Sequence, residues 1–328
     1  MTSNNTPTLA RKIHQFGPMR RLSLWLNSIP HPTSAVEISP TYVAAARSSK
    51  GSQRLESFAM EGLAEGNIVP SPIEPNIKNA DAVRVALRTA FHRTLPRSGA
   101  IALLIPDPAV RVFILPFDTL SREPKEALPL LRWRLKKSVP FDMDETVVSW
   151  MRQGGKEGNL EVVTSVARRG IIREYEEIAE SLGVHPGVVV SSTLATLPLI
   201  EDRGSTLLVR MSGRTLTTAI ISGSALCIYR STEMTADAAQ LEPQFMLDEI
   251  FPALAYYQDT WGGSMDRVLL SGLGGRENVF REALSRELHC PISPFSTTSG
   301  LLIENAAAAE LVRQGLDGLA GWMLNGGV

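Results

Sequence analysis

Over residues 35–38, 42–47 and 54–60, apolar positions alternate with small or polar ones, and turn-forming residues separate the runs: Ser39-Pro40-Thr41, then Lys50-Gly51-Ser52. A period of two predicts three half-buried strands folded as a meander. Pro70, Pro72 and Pro75 interrupt the pattern, and over 79–94 Val83, Leu87 and Phe91 recur four apart, which predicts a helix. The unbroken apolar run over 100–105 predicts a buried strand. The second half of the chain opens the same way. Runs over 206–211, 215–221 and 225–229 are joined by Ser212-Gly213-Arg214 and Ser222-Gly223-Ser224, glycine-containing turns of hairpin length. A helix is predicted over 236–260 from Met246, Ile250, Leu254, Tyr257 and Trp261, kinked at Pro252. Val268-Leu269-Leu270 reads as a short buried strand ending at the turn Gly272-Leu273-Gly274-Gly275, before a helix over 276–288 with Phe280, Leu284 and Leu288 on its apolar face. Two halves that each begin with a meander and continue into helices and strands predict an internally duplicated α/β protein.

Between the halves the order changes to a strand over 110–115, a helix over 122–137, and strands over 145–151 and 160–166, with Gly154, Gly155 and Gly158 in the last connection. An amphipathic helix over 171–182 follows, marked by Ile171, Tyr175, Ile178 and Leu182 and stopped by Gly183 and His185-Pro186.

The 328 residues are 44% hydrophobic and hold 33 Lys and Arg against 34 Asp and Glu. A chain of this size forms about two domains whose cores need neither disulfides nor metal. Near-neutral charge removes the basic field that non-specific nucleic-acid binding requires, so no nucleic-acid partner is expected. Only the start is unbalanced: residues 1–36 carry Arg11, Lys12, Arg20 and Arg21 and no acid. The apolar stretch over 22–26 is shorter than a secretory signal needs, and no stretch has the length of a membrane span, so a cytoplasmic protein is expected. The segment 20–26 suits either a membrane contact or a disordered arm that pairs with a partner. Cys227 and Cys290 show no CxxC spacing and read as buried thiols.

Known catalytic patterns are missing. The five histidines have no metal-binding spacing, and no G-x-S-x-G elbow, P-loop or G-x-G-x-x-G turn is present, so no catalytic residue or metal ligand is predicted. Acid pairs such as Asp142 with Asp144 read as solvated surface. Two features remain. The turn at Gly272–275 allows a backbone to approach a ligand closely, or is a plain tight turn. Leu131-Arg132-Trp133-Arg134-Leu135-Lys136-Lys137 combines four bases with a Trp, a composition for docking to a protein or an acidic surface, or for complementing a helix dipole.

Ala100-Ile101-Ala102-Leu103-Leu104-Ile105-Pro106-Asp107-Pro108-Ala109-Val110-Arg111-Val112, Leu115-Pro116-Phe117-Asp118 and Leu130-Leu131-Arg132-Trp133-Arg134-Leu135-Lys136-Lys137-Ser138-Val139-Pro140-Phe141 together resemble the PilM family of type IV pilus assembly proteins. Val166-Ala167-Arg168-Arg169, Leu254-Ala255-Tyr256-Tyr257 and Leu270-Ser271-Gly272 extend the resemblance over roughly 34–324. It implies a duplicated, two-lobed actin-like (ribonuclease H-like) fold, with the strand-helix-strand-strand insert of the branch that includes FtsA. On that basis 1–33 is a basic flexible leader, 34–205 the first lobe with an insert at about 107–168, 206–300 the second lobe, and 301–328 a helical segment returning to the first. The implied role is a cytoplasmic scaffold of the inner-membrane assembly platform, peripheral to the membrane and recruited by the cytoplasmic N-terminal peptide of a membrane-anchored PilN-like partner, among other platform proteins. Trp133, Arg134, Lys137 and Phe141 are the implied partner-binding residues.

The same resemblance implies ATP with magnesium as the ligand of the cleft, bound at Glu37, Ser39, Thr41, Arg210, Ser212, Gly213, Gly272, Gly274 and Gly275. The sequence departs from the family there. An Asp-Ile-Gly-Ser-Ser motif is replaced by Glu37-Ile38-Ser39-Pro40-Thr41, and the second Asp-Ile-Gly by Arg210-Met211-Ser212-Gly213. Proline removes an N–H that a phosphate cradle would use, and Arg210 puts a cation where a metal-holding acid is expected. Efficient ATP hydrolysis is therefore not expected, while direct pairing of Arg210 with a phosphate stays open as an alternative. An active actin-fold ATPase or sugar-kinase relative would rely on Glu37. An FtsA-like membrane-associated filament protein would need a basic C-terminal helix, whereas 316–324 contains Asp317 and no Lys or Arg.

Overall fold

The computed structural model describes residues 31–49, 54–94, 99–155, 158–297, 302 and 305–325; of the leader expected over 1–33, all but the last three residues lie outside the described ones. The first meander forms as β1 (Ser34–Ile38), β2 (Tyr42–Ser48) and β3 (Leu55–Gly62), followed by α1 (Ala80–Thr94) and β4 (Ala100–Ile105). With β8 (His185–Ser191) these strands make a sheet in the order β3-β2-β1-β4-β8, antiparallel across the meander and parallel thereafter. The second sheet repeats that order: β11 (Ala225–Glu233), β10 (Thr215–Ser222), β9 (Ser205–Ser212), β12 (Arg267–Ser271), β13 (Ile292–Pro294). The two sheets are the cores of two lobes, and the duplication legible in the sequence is a duplication of topology.

Between β4 and β8 come β5 (Arg111–Phe117), α2 (Pro124–Leu135), β6 (Thr146–Gly154), β7 (Leu160–Arg168) and α3 (Arg169–Glu180). The strands form a separate sheet, β5-β7-β6, and α2 covers it with Ala127, Leu131 and Leu135, four apart and fully buried. This insert meets the second lobe through Met151 and Val163, which share a buried cluster with Leu226, and through one polar side chain. The buried Gln153 amide donates to the Leu226 carbonyl at 2.7 Å and accepts from the Leu226 N–H at 3.1 Å, the pairing a strand backbone would make.

In the second lobe, α5 (Pro243–Trp261) and α6 (Glu277–Glu287) pack Met246, Ile250, Tyr257, Phe280 and Leu284 against β9, β10 and β12. The chain then returns through α7 (Ala306–Arg313) and α8 (Asp317–Asn325). Every residue of α8 is buried, and it lies against α4 (Ser192–Thr196) and β1 at the junction of the lobes. Small residues permit that approach: a Cβ at Gly318 would sit 2.4 Å from Ser192 Oγ, and one at Gly321 would sit 2.0 Å from the Ala195 carbonyl oxygen.

Three sequence expectations change. The helix expected over 236–260 begins only at Pro243, because a residue before proline avoids the α region and Asp237 turns the chain by accepting from the N–H groups of Ala239 and Gln240. It then continues through Pro252, whose missing donor lies on the exposed face. The stop signal at His185-Pro186 is instead the first part of β8, with Pro186 opposite Ile101 in the parallel pair. The helix expected over 276–288 starts as a 3-10 turn at Gly274–Arg276 before α6.

Gly321→Ala would gain about 1 kcal/mol of helix propensity and lose about 3 kcal/mol to overpacking against α4. A net destabilisation of about 2 kcal/mol is expected in urea unfolding; unchanged or higher stability would mean that α8 has room to move away from α4.

Candidate functional site

Each lobe delivers the end of its central strands to the same place. Glu37 stands near the end of β1, paired with Ala44 and Leu104, while Arg210 stands near the end of β9, paired with Thr217 and Ser271. Asp107 opens the 3-10 turn after β4, Ser192 and Thr193 open α4 after β8, and Asp317 opens α8. All of these are buried, Arg210 with only 2% of its surface exposed.

The Arg210 guanidinium uses all three nitrogens. Nε donates to Asp317 Oδ2 at 2.6 Å; Nη1 donates to Thr193 Oγ1 at 3.2 Å and lies 3.7 Å from Asp107 Oδ2; Nη2 donates to Ser192 Oγ at 2.9 Å and to Glu37 Oε1 at 3.4 Å. The carboxylates are held in turn. Ser192 Oγ and Tyr42 Oη donate to Glu37, the Thr193 N–H and the Thr217 hydroxyl donate to Asp107 at 2.9 and 2.8 Å, and Thr196 Oγ1 donates to Asp317 at 3.1 Å. Glu37 Oε2 and Asp317 Oδ1 are buried without a hydrogen-bond partner among the described residues. Burial pushes the Glu37 carboxyl above the usual range, opposed by Arg210 and Ser192. Burial also opposes the charge on Arg210, but Asp317, Asp107 and Glu37 outweigh it and hold the guanidinium protonated.

The turns flanking this cluster touch. Ser39 Oγ lies 3.4 Å from Ser212 Oγ, and a Cβ at Gly213 would stand 3.5 Å from Pro40 Cβ and 3.6 Å from Thr41 Cγ2. Glu37, Ser39, Thr41, Arg210, Ser212 and Gly213 are thus brought together, but in contact with one another. Gly272 has a different reason to be glycine: its φ is +73°, and a Cβ there would meet the Met211 carbonyl oxygen at 1.9 Å. Gly274 and Gly275 face open space in the turn leading to α6. These residues do not fit a metal-bound triphosphate between the turns. The guanidinium occupies the space among the carboxylates, Pro40 offers no N–H, and no group of three acids, histidines or cysteines among the described residues is arranged for a metal. Sequence reasoning missed Asp107, Ser192, Thr193, Thr217 and Asp317; Asp107 sits inside the resemblance motif, but nothing along the chain points it at Arg210.

A second candidate surface lies on the insert. Trp133 on α2 is 73% exposed, Leu130 beside it 40%, and Lys136 and Lys137 are exposed as well. Arg134 packs over the Phe117 ring at 5.0 Å and, with Pro116, Phe117, Asp118, Thr119 and Asn159, lines an open groove of about 400 Å³. Phe141 is half-buried against Leu135, Val139 and Met143, so it supports this surface from beneath.

Two lobes of repeated topology around a cleft, with a strand-helix-strand-strand insert, define an actin-like fold. The chain is similar to a chain of the PilM-PilN type IV pilus biogenesis complex, with a TM-score of 0.72 at 15% identity over 91% of this chain and 100% of that one. It is more distantly similar to a Bacteroides thetaiotaomicron protein of actin-like ATPase fold, TM-score 0.46 at 9% identity over 85% of this chain and 96% of that one. No protein-family profile and no curated protein matches the sequence.

Because burial raises the Glu37 carboxyl, the folded chain holds its proton to higher pH than the unfolded chain, and the associated stability is lost as pH rises from about 4.5 toward the folded value. Glu37→Gln removes that slope. The stability of the wild type relative to this variant is therefore expected to fall as pH rises above about 4.5 in urea unfolding; a difference independent of pH would show Glu37 ionised throughout.

Proposed function

We propose that this protein is a PilM-like cytoplasmic scaffold of a type IV pilus inner-membrane platform, binding the N-terminal cytoplasmic peptide of a membrane-anchored PilN-like partner without hydrolysing ATP. The observation that carries the reading is Trp133, a large apolar side chain left exposed among basic residues, within the motif that resembles the family. An exposed aromatic next to cations is the composition of an interface anchor. The name of the similar solved complex, which pairs PilM with PilN, supports the same partner class. Among the described residues no helix is long and apolar enough to cross a membrane, so membrane association is assigned to the partner. The contact between the Ser39 and Ser212 turns, with Arg210 inside, supports a scaffold over an ATPase or a kinase.

Trp133→Ala is expected to weaken binding of the partner peptide at least tenfold, about 1.4 kcal/mol or more, while leaving thermal unfolding unchanged because the side chain is exposed. Wild-type affinity in this variant would remove the insert from the interface. Calorimetric titration with ATP and magnesium is expected to give no binding heat; saturable, magnesium-dependent heat would restore the ATPase reading.

A further inference from the structure

We propose that the space between the lobes is a binding site for a planar guanidinium cation, and that Arg210 supplies the occupant from within the chain. The inference rests on the geometry of the cluster and does not depend on the partner assigned above. Carboxylates from three separate elements, β1, the turn after β4, and α8, converge on one group carried by β9 of the other lobe. Hydroxyls of Ser192 and Thr193 complete the ring of acceptors. The acceptors follow the outline of a fork: one nitrogen meets Asp317, the second Thr193 and Asp107, the third Ser192 and Glu37.

A compact ion does not match this outline. Three donor directions in one plane suit a guanidinium, whereas an ammonium presents a single point charge on a flexible stem. A divalent metal needs its oxygen ligands drawn in to little more than 2 Å, and no such group exists among the described residues. One guanidinium faces three acids, and burial favours the protonated form of Glu37. Removing the cation would leave the remaining acids buried without a counter-charge at the junction of the lobes.

The test is chemical rescue. Arg210→Ala in the full chain is expected to lower the melting temperature by about 10 °C, and added guanidinium chloride, compared with sodium chloride at equal concentration, is expected to raise it again. The rise should grow with the logarithm of concentration above the dissociation constant, reaching about 3 °C at tenfold above it. Wild type, with its site filled, should show no such rise, and Arg210→Lys should remain well below wild type. If Arg210→Ala does not fold, Arg210→Ala combined with Glu37→Gln, with one acid fewer, is measured in the same way. No difference between guanidinium and sodium would overturn the proposal, as would an Arg210→Ala protein as stable as wild type. Equal rescue by magnesium chloride would overturn it in favour of an ordinary metal site.

Discussion

A guanidinium keeps its charge in a protein interior, so burying one with 2% of its surface exposed is costly unless the surrounding structure provides counter-charges, and Arg210 draws them from β1, the turn after β4, and α8. The requirement organises the molecule around it. β9 and β1 must end at the same level, α8 must come close enough to present Asp317, and α4 must turn its first two hydroxyls inward. Gly318 and Gly321 meet the second of these demands by removing the side chains that would hold α8 away. Replacing such a buried cluster by apolar residues is often neutral or stabilising, whereas removing one partner is costly. The cluster is therefore better understood as fixing the relative position of the lobes than as a source of stability.

The insert is fastened differently. Gln153 imitates a peptide group and pairs with Leu226, so neutral hydrogen bonds add to the apolar contact of Met151 and Val163 in joining the β5-β7-β6 sheet to the second lobe. Trp133 is exposed on α2, while Ala127, Leu131 and Leu135 of the same helix are buried. The actin-like fold alone is compatible with an enzyme, a filament or a scaffold, so any role has to be argued from particular sites and not from the architecture.

How much was legible depended on the range of the interactions. The meanders and the buried strand at 100–105 follow from periodicities within a few residues, and the structure shows them with shifts of no more than four positions at the ends. Arg210 and Glu37 stood out because they depart from a motif. Asp107 and Asp317 did not, because their partner lies 103 and 107 positions away in the chain and their importance exists only once β4, β9 and α8 meet. β8 was hidden for the same reason: Pro186 and Gly187 are poor strand residues by themselves, and only β4 beside them makes the segment a strand.

By itself, then, the sequence determined what local chemistry controls: the duplicated order of strands and helices, the insert, the absence of known catalytic patterns and the basic, aromatic stretch around Trp133. Tertiary structure decided the fate of the cleft. A lone arginine in place of an acid is compatible with a phosphate ligand or with an internal ion pair, and the outcome turns on whether acids from distant segments arrive within hydrogen-bonding distance. Here Asp317 arrives at 2.6 Å because two glycines let its helix pack closely, and that approach, which no local pattern encodes, commits Arg210 to the protein interior.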